Sequence, residues 1–236
     1  MAGNPHTIGD VIRRFGPALR EQRGASVTPA QLAVMLTLLR CHTEALGGHL
    51  YRCDTCGAER VVYNGCGNRH CPSCLGTKSA KWLSKRAEEL LPVPYFHVVF
   101  TVPAEVAAVA LGNKEVVYGI LFRAVSETLL EVAANPKHLG AQIGFFGILH
   151  TWTQTLMHHP HIHCIVPAGG LSPDASRWVE SRANYLLPVP VLSLLFRGKF
   201  LAYLTAAFKE GALHFAGSTA SLASDAHGAL WASSAR

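Results

Sequence analysis

The spacing of apolar residues along the chain changes near residue 92, which predicts two parts of different architecture. Before this point apolar side chains recur every three to four residues, so helices are predicted over residues 7–46 and 77–91. Thr28 followed by Pro29 is typical of an N-cap and the first helical position, so a second helix is expected to begin there. The intervening segment, 49–76, is rich in Cys and Gly and has little apolar mass.

Beyond residue 92, β-rich runs and helical patterns follow one another. Strands are predicted over residues 95–102, 142–152, 161–166 and 178–179, and helices over 116–132 and 191–209. The second and third strands lie close enough to form a hairpin, with the third strand central in the sheet. This order predicts an α+β fold, in which a small N-terminal helical and Cys-rich module precedes an antiparallel sheet with helices on one face.

Composition agrees with a folded protein of two parts. The 236 residues are 49% hydrophobic and 15% charged, which is enough for a buried core. We divide them into a module over residues 1–92, a sheet domain over 93–215 and an irregular, small-residue tail over 216–236. The formal net charge of +6 suits a phosphate-rich partner. The N-terminus has no signal-peptide pattern and no run is pure enough to span a bilayer, so a cytoplasmic protein without a membrane partner is expected.

The spacing of the cysteines predicts structural zinc. Cys53 and Cys56 form one Cys-x2-Cys pair, and Cys71 and Cys74 form another, fourteen residues further on. Zinc prefers four tetrahedral thiolate or imidazole ligands, and its binding supplies folding free energy to segments with little apolar mass. The chain has seven cysteines, and an odd number in closely spaced pairs argues against a disulfide framework.

Other candidate zinc ligands flank these pairs. Cys66 and His70 lie between them, and Cys41 and His49 lie upstream. These four residues could complete a second zinc site or lie beside a single zinc ion, and the number of ligands is compatible with both arrangements.

Basic residues are concentrated around the cysteines. Residues 52–86 contain seven Lys or Arg and two acidic residues. Candidate DNA-binding side chains there are Arg69, Lys78, Lys81, Trp82 and Lys85. The three lysines share one face of the predicted helix beside the tryptophan, and such a pattern suits a nucleic-acid backbone and unstacked bases.

Four of the ten residues in segment 158–167 are histidines. Because side chains alternate along a strand, His161 and His163 are expected on the same face. Imidazole is the commonest metal ligand among side chains, and a metal held there could polarise a phosphate or activate a water.

A third ligand is needed beside that pair. His150 on the preceding strand is favoured, because a hairpin can bring it beside His161. His159 on the same strand and His97 on the first strand are the alternatives.

Several segments together resemble the rolling-circle transposases of the insertion-sequence-91 type, which belong to the HUH endonuclease superfamily. The segments are residues 46–49, 68–72, 96–103, 158–170 and 196–200. The resemblance implies an N-terminal zinc-binding DNA module followed by a catalytic domain in which His161 and His163 bind Mg²⁺ or Mn²⁺. It also implies a DNA partner, single-stranded or with hairpin ends, in which a tyrosine attacks a phosphodiester and forms a 5′-phosphotyrosine link.

The expected nucleophile has no match in this chain. In the family the catalytic tyrosines lie on a helix downstream of the segment matching 196–200, whereas the last tyrosines here are Tyr185 and Tyr203. We therefore expect a C-terminally truncated transposase with no catalytic tyrosine and weak or no cleavage. Two alternatives are a zinc-dependent DNA-binding protein without catalysis and, last, a metal-dependent hydrolase. The hydrolase reading lacks a nearby carboxylate base, because no acidic residue lies between His138 and Asp174.

Overall fold

A computed structural model describes residues 7–223 of the chain. It contains two compact units, Met1–Leu90 and Leu91–Arg236, which are treated separately below as unit 1 and unit 2. The division lies two residues before the boundary expected from the sequence.

Unit 1 begins with a helical hairpin. Helix α1 spans Ile8–Arg23 and helix α2 spans Pro29–Leu39. The Thr28 hydroxyl accepts the Gln31 amide, and the Gln31 side chain accepts the Thr28 amide in return, so the predicted helix start at Thr28 is confirmed.

A short β-hairpin and a third helix complete unit 1. Strands β1 (Gly48–Arg52) and β2 (Glu59–Tyr63) pair antiparallel, and helix α3 spans Pro72–Glu88. Every residue of both strands is exposed, and neither GHLYR nor ERVVY alternates apolar and polar residues, so no strand was predicted here. Within residues 7–90 the buried hydrophobic side chains are Leu38 and Cys71, which is too few for an ordinary core.

Unit 2 is built on a three-stranded antiparallel sheet. Its strands are β3 (Tyr95–Thr101), β4 (Phe146–Trp152) and β5 (His158–Pro167), in the order β3-β5-β4. The histidine-rich strand is therefore central, as predicted. A separate two-stranded ribbon pairs β6 (Gly169–Leu171) with β7 (Trp178–Glu180).

Helices α4 (Ala104–Gly112), α5 (Lys114–Ala134) and α6 (Val189–Lys209) share the apolar core with one face of this sheet. Leu121 and Leu129 of α5 are fully buried in it, and the ring of Phe196 on α6 lies 5.0 Å from that of Phe100 on β3. The α+β prediction is confirmed. Helix α4 was not predicted, because it has only nine residues and is apolar on most sides.

Strand β5 has two distinct faces. Pro160, Ile162, Cys164 and Val166 are buried toward the helices, whereas the alternating positions, including His161 and His163, are half-buried on the opposite face. The core thus fixes the orientation of the histidines, because a strand that buries its even positions must present the odd ones on the other side.

Among the described residues one helix, α6, is long and apolar enough to cross a membrane by length and composition, contrary to our expectation. It packs as a core helix of unit 2, with Leu192, Phe200 and Leu204 buried. The last described segment, Gly217–Ala223, forms a 3-10 helix. Residues 224–236 of the predicted irregular tail lie outside the described residues.

Candidate metal centres

Four thiols converge in unit 1. The Sγ atoms of Cys41, Cys66, Cys71 and Cys74 all lie within 4.8 Å of one another. The Cys41 sulfur is 3.4 Å from that of Cys71 and 3.6 Å from that of Cys74. Four sulfurs at a zinc–sulfur distance of about 2.3 Å in a tetrahedron are about 3.8 Å apart, so the spacing of this four-thiol cluster fits a zinc ion.

The local backbone is shaped around the sulfurs. The Cys66 amide donates to the Cys41 sulfur and the Gly67 amide donates to the Cys74 sulfur, both at 3.4 Å. A Cβ at Gly65 would lie only 2.8 Å from the Cys74 sulfur, so a glycine is needed for the chain to pass. This role of Gly65 was not predicted, although the Gly-Cys-Gly triplet at residues 65–67 is a signal for a close backbone approach.

The electrostatics of the cluster favour one ready thiolate. Cys71 is the N-cap of α3, and hydrogen bonds from the Cys74 amide and neighbouring thiols outweigh its burial, lowering the pKa of the Cys71 thiol to about 7. Burial raises the pKa of Cys41 and Cys66. Without a cation, burial keeps the last two thiols protonated, and a bound metal would have to displace those protons.

The structure does not bring Cys53 and Cys56 together with Cys71 and Cys74, as their spacing had led us to expect. Cys53 and Cys56 are exposed in the turn of the β1–β2 hairpin, outside the four-thiol cluster. The five-residue strand β2 lies between this turn and the loop that holds Cys66, a length of about 16 Å at roughly 3.3 Å per residue. Backbone amides of Cys56 and Thr55 lower the pKa of the Cys53 thiol.

The histidines proposed as zinc ligands are also elsewhere. His49 is exposed on β1 with its ring 6.4 Å from that of Tyr51, and His70 is exposed beside Arg69, whose Nε lies 3.4 Å from the His70 Nε2. Neither belongs to the four-thiol cluster. Of these four candidates, the structure places Cys41 and Cys66 beside the second cysteine pair, a grouping that differs from both arrangements considered from the sequence.

Of the predicted DNA-binding residues, Arg69 lies in the loop before α3 and the other four lie on α3, which is almost entirely exposed. Trp82 is 42% exposed and the Arg86 guanidinium lies 5.9 Å from its ring. The Lys78 ammonium donates to the Gly67 carbonyl at 2.7 Å and so also braces the loop of the four-thiol cluster. Lys81 and Lys85 extend from the same helix as exposed side chains.

Three imidazoles converge on the half-buried face of β5 in unit 2. His161 and His163 of β5 and His150 of β4 place ring nitrogens within 4.8 Å of one another, and no carboxylate belongs to this group in the described part of the chain. His150 pairs directly with His161 across the strands, and its ring lies 4.2 Å from that of His163. We call these residues the three-histidine cluster. Their role as metal ligands stays a prediction.

Hydrogen bonds determine which nitrogens are available. The Nδ1 of His161 donates to the His159 carbonyl at 2.7 Å, which leaves its Nε2 free of the proton when the ring is neutral. The Nδ1 of His163 lies 2.6 Å from the Nε2 of His97. The Nε2 of His163 is buried and has no hydrogen-bond partner. Burial and the adjacent imidazoles lower the pKa of His163, which favours the neutral ring that a metal requires.

The other two candidates for the third ligand have different contacts. His159 Nε2 lies 2.6 Å from the Thr101 hydroxyl and is not part of the three-histidine cluster. His97 contacts the back of His163 instead of joining the cluster itself. His158, the fourth histidine of the segment, faces the helices, where its Nδ1 donates to the Ala107 carbonyl and its Nε2 lies 2.9 Å from the Tyr118 hydroxyl.

Comparison with known proteins identifies the chain. Residues 11–102 match the family model described as a transposase zinc-binding domain, and residues 144–235 match a second model described as "Putative transposase". The protein y4qJ of Sinorhizobium fredii, which carries the same description, is 52% identical over 215 residues, covering 91% of this chain and 54% of that protein. The chain belongs to the insertion-sequence-91 family of transposases.

The chain is also similar to a second transposase and to one solved structure. The transposase of insertion sequence element IS801 from Pseudomonas savastanoi is 31% identical over 179 residues, covering 70% of this chain and 43% of that transposase. The chain thus spans about half the length of these curated relatives. A metal-bound structure of the conjugative relaxase TrwC with oriT DNA has a TM-score of 0.37 and 18% identity, covering 47% of this chain and 42% of the relaxase chain.

Proposed function

We propose that this chain forms the DNA-binding and metal-binding part of a transposase that cleaves and rejoins one strand of a mobile element. The observation that carries the proposal is the convergence of His150, His161 and His163, with the Nε2 of His163 buried and unpaired. Membership of a transposase family supports transposition as the process. A substrate of cellular DNA implies action in the cytoplasm.

The three-histidine cluster would hold a divalent cation, Mg²⁺ or Mn²⁺. When bound, the cation would supply Lewis-acid stabilisation of a scissile phosphate. The three histidines would hold the cation through one ring nitrogen each. We propose Mn²⁺ as the preferred ion, because Mg²⁺ favours oxygen ligands and the cluster contains only imidazoles.

Unit 1 would bind the DNA, and a single structural zinc ion in the four-thiol cluster would stabilise the unit. The four-thiol cluster joins the end of α2, the loop after β2 and the first turn of α3, so zinc would fix α3 relative to its neighbours. Lys81, Lys85 and Trp82 then stand exposed on a braced helix, and Arg69 lies in the adjoining loop. Such side chains suit the backbone and unstacked bases of a single-stranded or hairpin end.

The tyrosines of unit 2 do not supply an evident nucleophile. The Tyr118 hydroxyl bonds His158 on the helix side of the sheet, the Tyr203 hydroxyl bonds Glu127, and the Tyr95 hydroxyl accepts the Leu91 amide. Tyr185 is 43% exposed and lines a groove of about 470 Å³ beside β3, with no described contact to the three-histidine cluster. We therefore propose that the 236-residue chain binds DNA and metal with weak or no cleavage.

An oligonucleotide experiment tests both parts of this proposal. The protein is incubated with Mn²⁺ and the single-stranded or hairpin end of a related element, then analysed on native and denaturing gels. We expect a complex on the native gel and no covalent adduct on the denaturing gel. A covalent adduct lost in Tyr185→Phe would show that the chain holds its own nucleophile, and absence of any complex would contradict DNA binding.

A non-catalytic, zinc-dependent DNA-binding protein is the second candidate, because the exposed basic face of α3 does not depend on the histidines. This candidate predicts that the double change His161→Ala and His163→Ala leaves the affinity for DNA unchanged in the presence of Mn²⁺. Cys71→Ser should abolish that affinity. The transposase proposal instead predicts that the double variant loses the part of the affinity that depends on Mn²⁺.

A further inference from the structure

His97 stands behind the three-histidine cluster on the edge strand β3. Its Nε2 lies 2.6 Å from the Nδ1 of His163, and the two rings are stacked, with centroids 4.8 Å apart and an angle of 14° between their planes. In the sheet, His97 is opposite Ile165, two pairs along the ladder from Val99 and His163. The contact is therefore a diagonal cross-strand pair on the half-buried face.

We infer that His97 is a positioning residue, which holds His163 in the tautomer that directs a lone pair at the cation; this rests on the proposed metal site. A hydrogen bond between two imidazoles can be formed in two ways. If His97 donates, the proton of a neutral His163 lies on Nε2, and that nitrogen cannot bind metal. If His163 donates from Nδ1, its Nε2 carries the lone pair.

The surroundings of His163 select the second arrangement. Its Nε2 is buried and has no hydrogen-bond partner, so a proton there would be a buried donor without an acceptor. A lone pair there would be satisfied by a cation shared with His150 and His161. The Nδ1 of His161 is fixed in the same way by the His159 carbonyl, so both strand histidines keep Nε2 as the nitrogen available to a cation.

The hydrogen-bond partner of His163 is of an unusual chemical type for a metal-binding histidine. Outer partners of metal-binding histidines are commonly carboxylates, carbonyls or water, and they fix ring orientation and raise ligand basicity. Here the partner is an imidazole. When neutral, it accepts the hydrogen bond from His163 and adds no negative charge. His97 thus orients His163 without the increase in basicity that a carboxylate would give.

The test compares His97→Leu and His97→Gln in the whole chain. Glutamine places an oxygen near the position of the His97 Nε2 and can still accept the Nδ1 proton, whereas leucine cannot. His97 is exposed on an edge strand, so neither change opens the core. His214→Gln, at an exposed position outside the histidine network, is the matched control. Mn²⁺ affinity is measured by calorimetry and electron paramagnetic resonance, and the His163 tautomer by ¹⁵N chemical shifts of the metal-free protein.

We expect His97→Leu to weaken Mn²⁺ binding by about 10- to 100-fold and to mix the two tautomers of His163. His97→Gln should stay within a few-fold of the parent and keep the Nδ1-protonated ring. The inference is overturned if the leucine variant binds Mn²⁺ as tightly as the parent. It is also overturned if glutamine and leucine lose affinity equally, which would make His97 a ligand. A parent protein that binds no Mn²⁺ would instead contradict the proposed function.

Discussion

The four-thiol cluster of unit 1 and the three-histidine cluster of unit 2 stand in opposite relations to the fold around them. Cys71 and Leu38 are the buried hydrophobic side chains of residues 7–90, so the thiols themselves occupy the place of a core. The imidazoles stand on a strand whose other face is packed with Ile162, Cys164 and Val166. A metal ion in the four-thiol cluster would therefore stabilise its unit, whereas the three-histidine cluster is carried by a unit that has an apolar core of its own.

Removal of metal tests this contrast most severely. Zinc binding in small modules provides about 10–16 kcal/mol of apparent folding free energy, so Cys71→Ser or a strong chelator should unfold unit 1 completely. Unit 2 should keep its structure under the same treatment. Two-dimensional NMR follows the two units separately, and elemental analysis counts the zinc.

Cys53→Ser is the matched control for the cysteine change, because Cys53 is exposed and outside the four-thiol cluster. It should retain one zinc per chain and a folded unit 1. If Cys53→Ser lost the zinc while Cys71→Ser kept it, the ligand assignment would be wrong.

A cavity in unit 2 should give the next largest effect. Leu121 on α5 is fully buried, and Leu121→Ala should reduce the free energy of unfolding of unit 2 by about 2–5 kcal/mol. Zinc content should not change, because the core of unit 2 is independent of that ion. Leu130→Ala on the exposed side of the same helix is the control, with little effect expected on denaturant unfolding. Equal effects of the two changes would refute the burial argument.

Gly65→Ala probes how closely the backbone fits the four-thiol cluster. Its Cβ would approach the Cys74 sulfur to 2.8 Å, so we expect a loss of about 1–3 kcal/mol in unit 1 and weaker zinc binding. At Gly76 in α3 a Cβ meets nothing within 4 Å, so Gly76→Ala should be neutral or slightly stabilising. Competition with a chromogenic zinc chelator measures both, and an unchanged affinity in Gly65→Ala would contradict the prediction.

The smallest effect concerns acid stability, which tests a link between α5 and α6 away from either cluster. A hydrogen bond from Tyr203, and then one from Arg123, lower the pKa of Glu127 to about 2 from 4.5. Because the folded pKa is depressed, the stabilisation is complete above about pH 4.5 and is lost as the pH falls toward 2.

Glu127→Gln should therefore lower the thermal midpoint of unit 2 slightly at pH 7, with the difference from the parent disappearing near pH 2. Glu115→Gln on the same helix is the control. A deficit that persisted at pH 2 would show that Glu127 acts by packing and not by its charge.

The sequence was most informative where a local pattern carries the structure. Alternation in segment 158–167 correctly placed His161 and His163 on one face, and the hairpin argument correctly brought His150 beside them. Both results depend on strand geometry, which extends over only a few residues.

The grouping of the cysteines could not be obtained in this way. Cys41 approaches Cys71 across thirty residues because a helix ends beside the loop that follows β2, and no spacing rule contains that information. The β1–β2 hairpin, whose residues are all exposed, carries Cys53 and Cys56 away from their expected partners. The contact between His97 and His163 likewise required the register of β3 against β5.

The two-faced strand β5 has one more consequence. Each position from Pro160 to Val166 faces either the apolar interior or the side of the sheet that carries His161 and His163. A single inserted or deleted codon would invert both assignments at once and put imidazole rings among leucines. This stretch can therefore evolve by exchange of like for like within each side, but not by a change in its length.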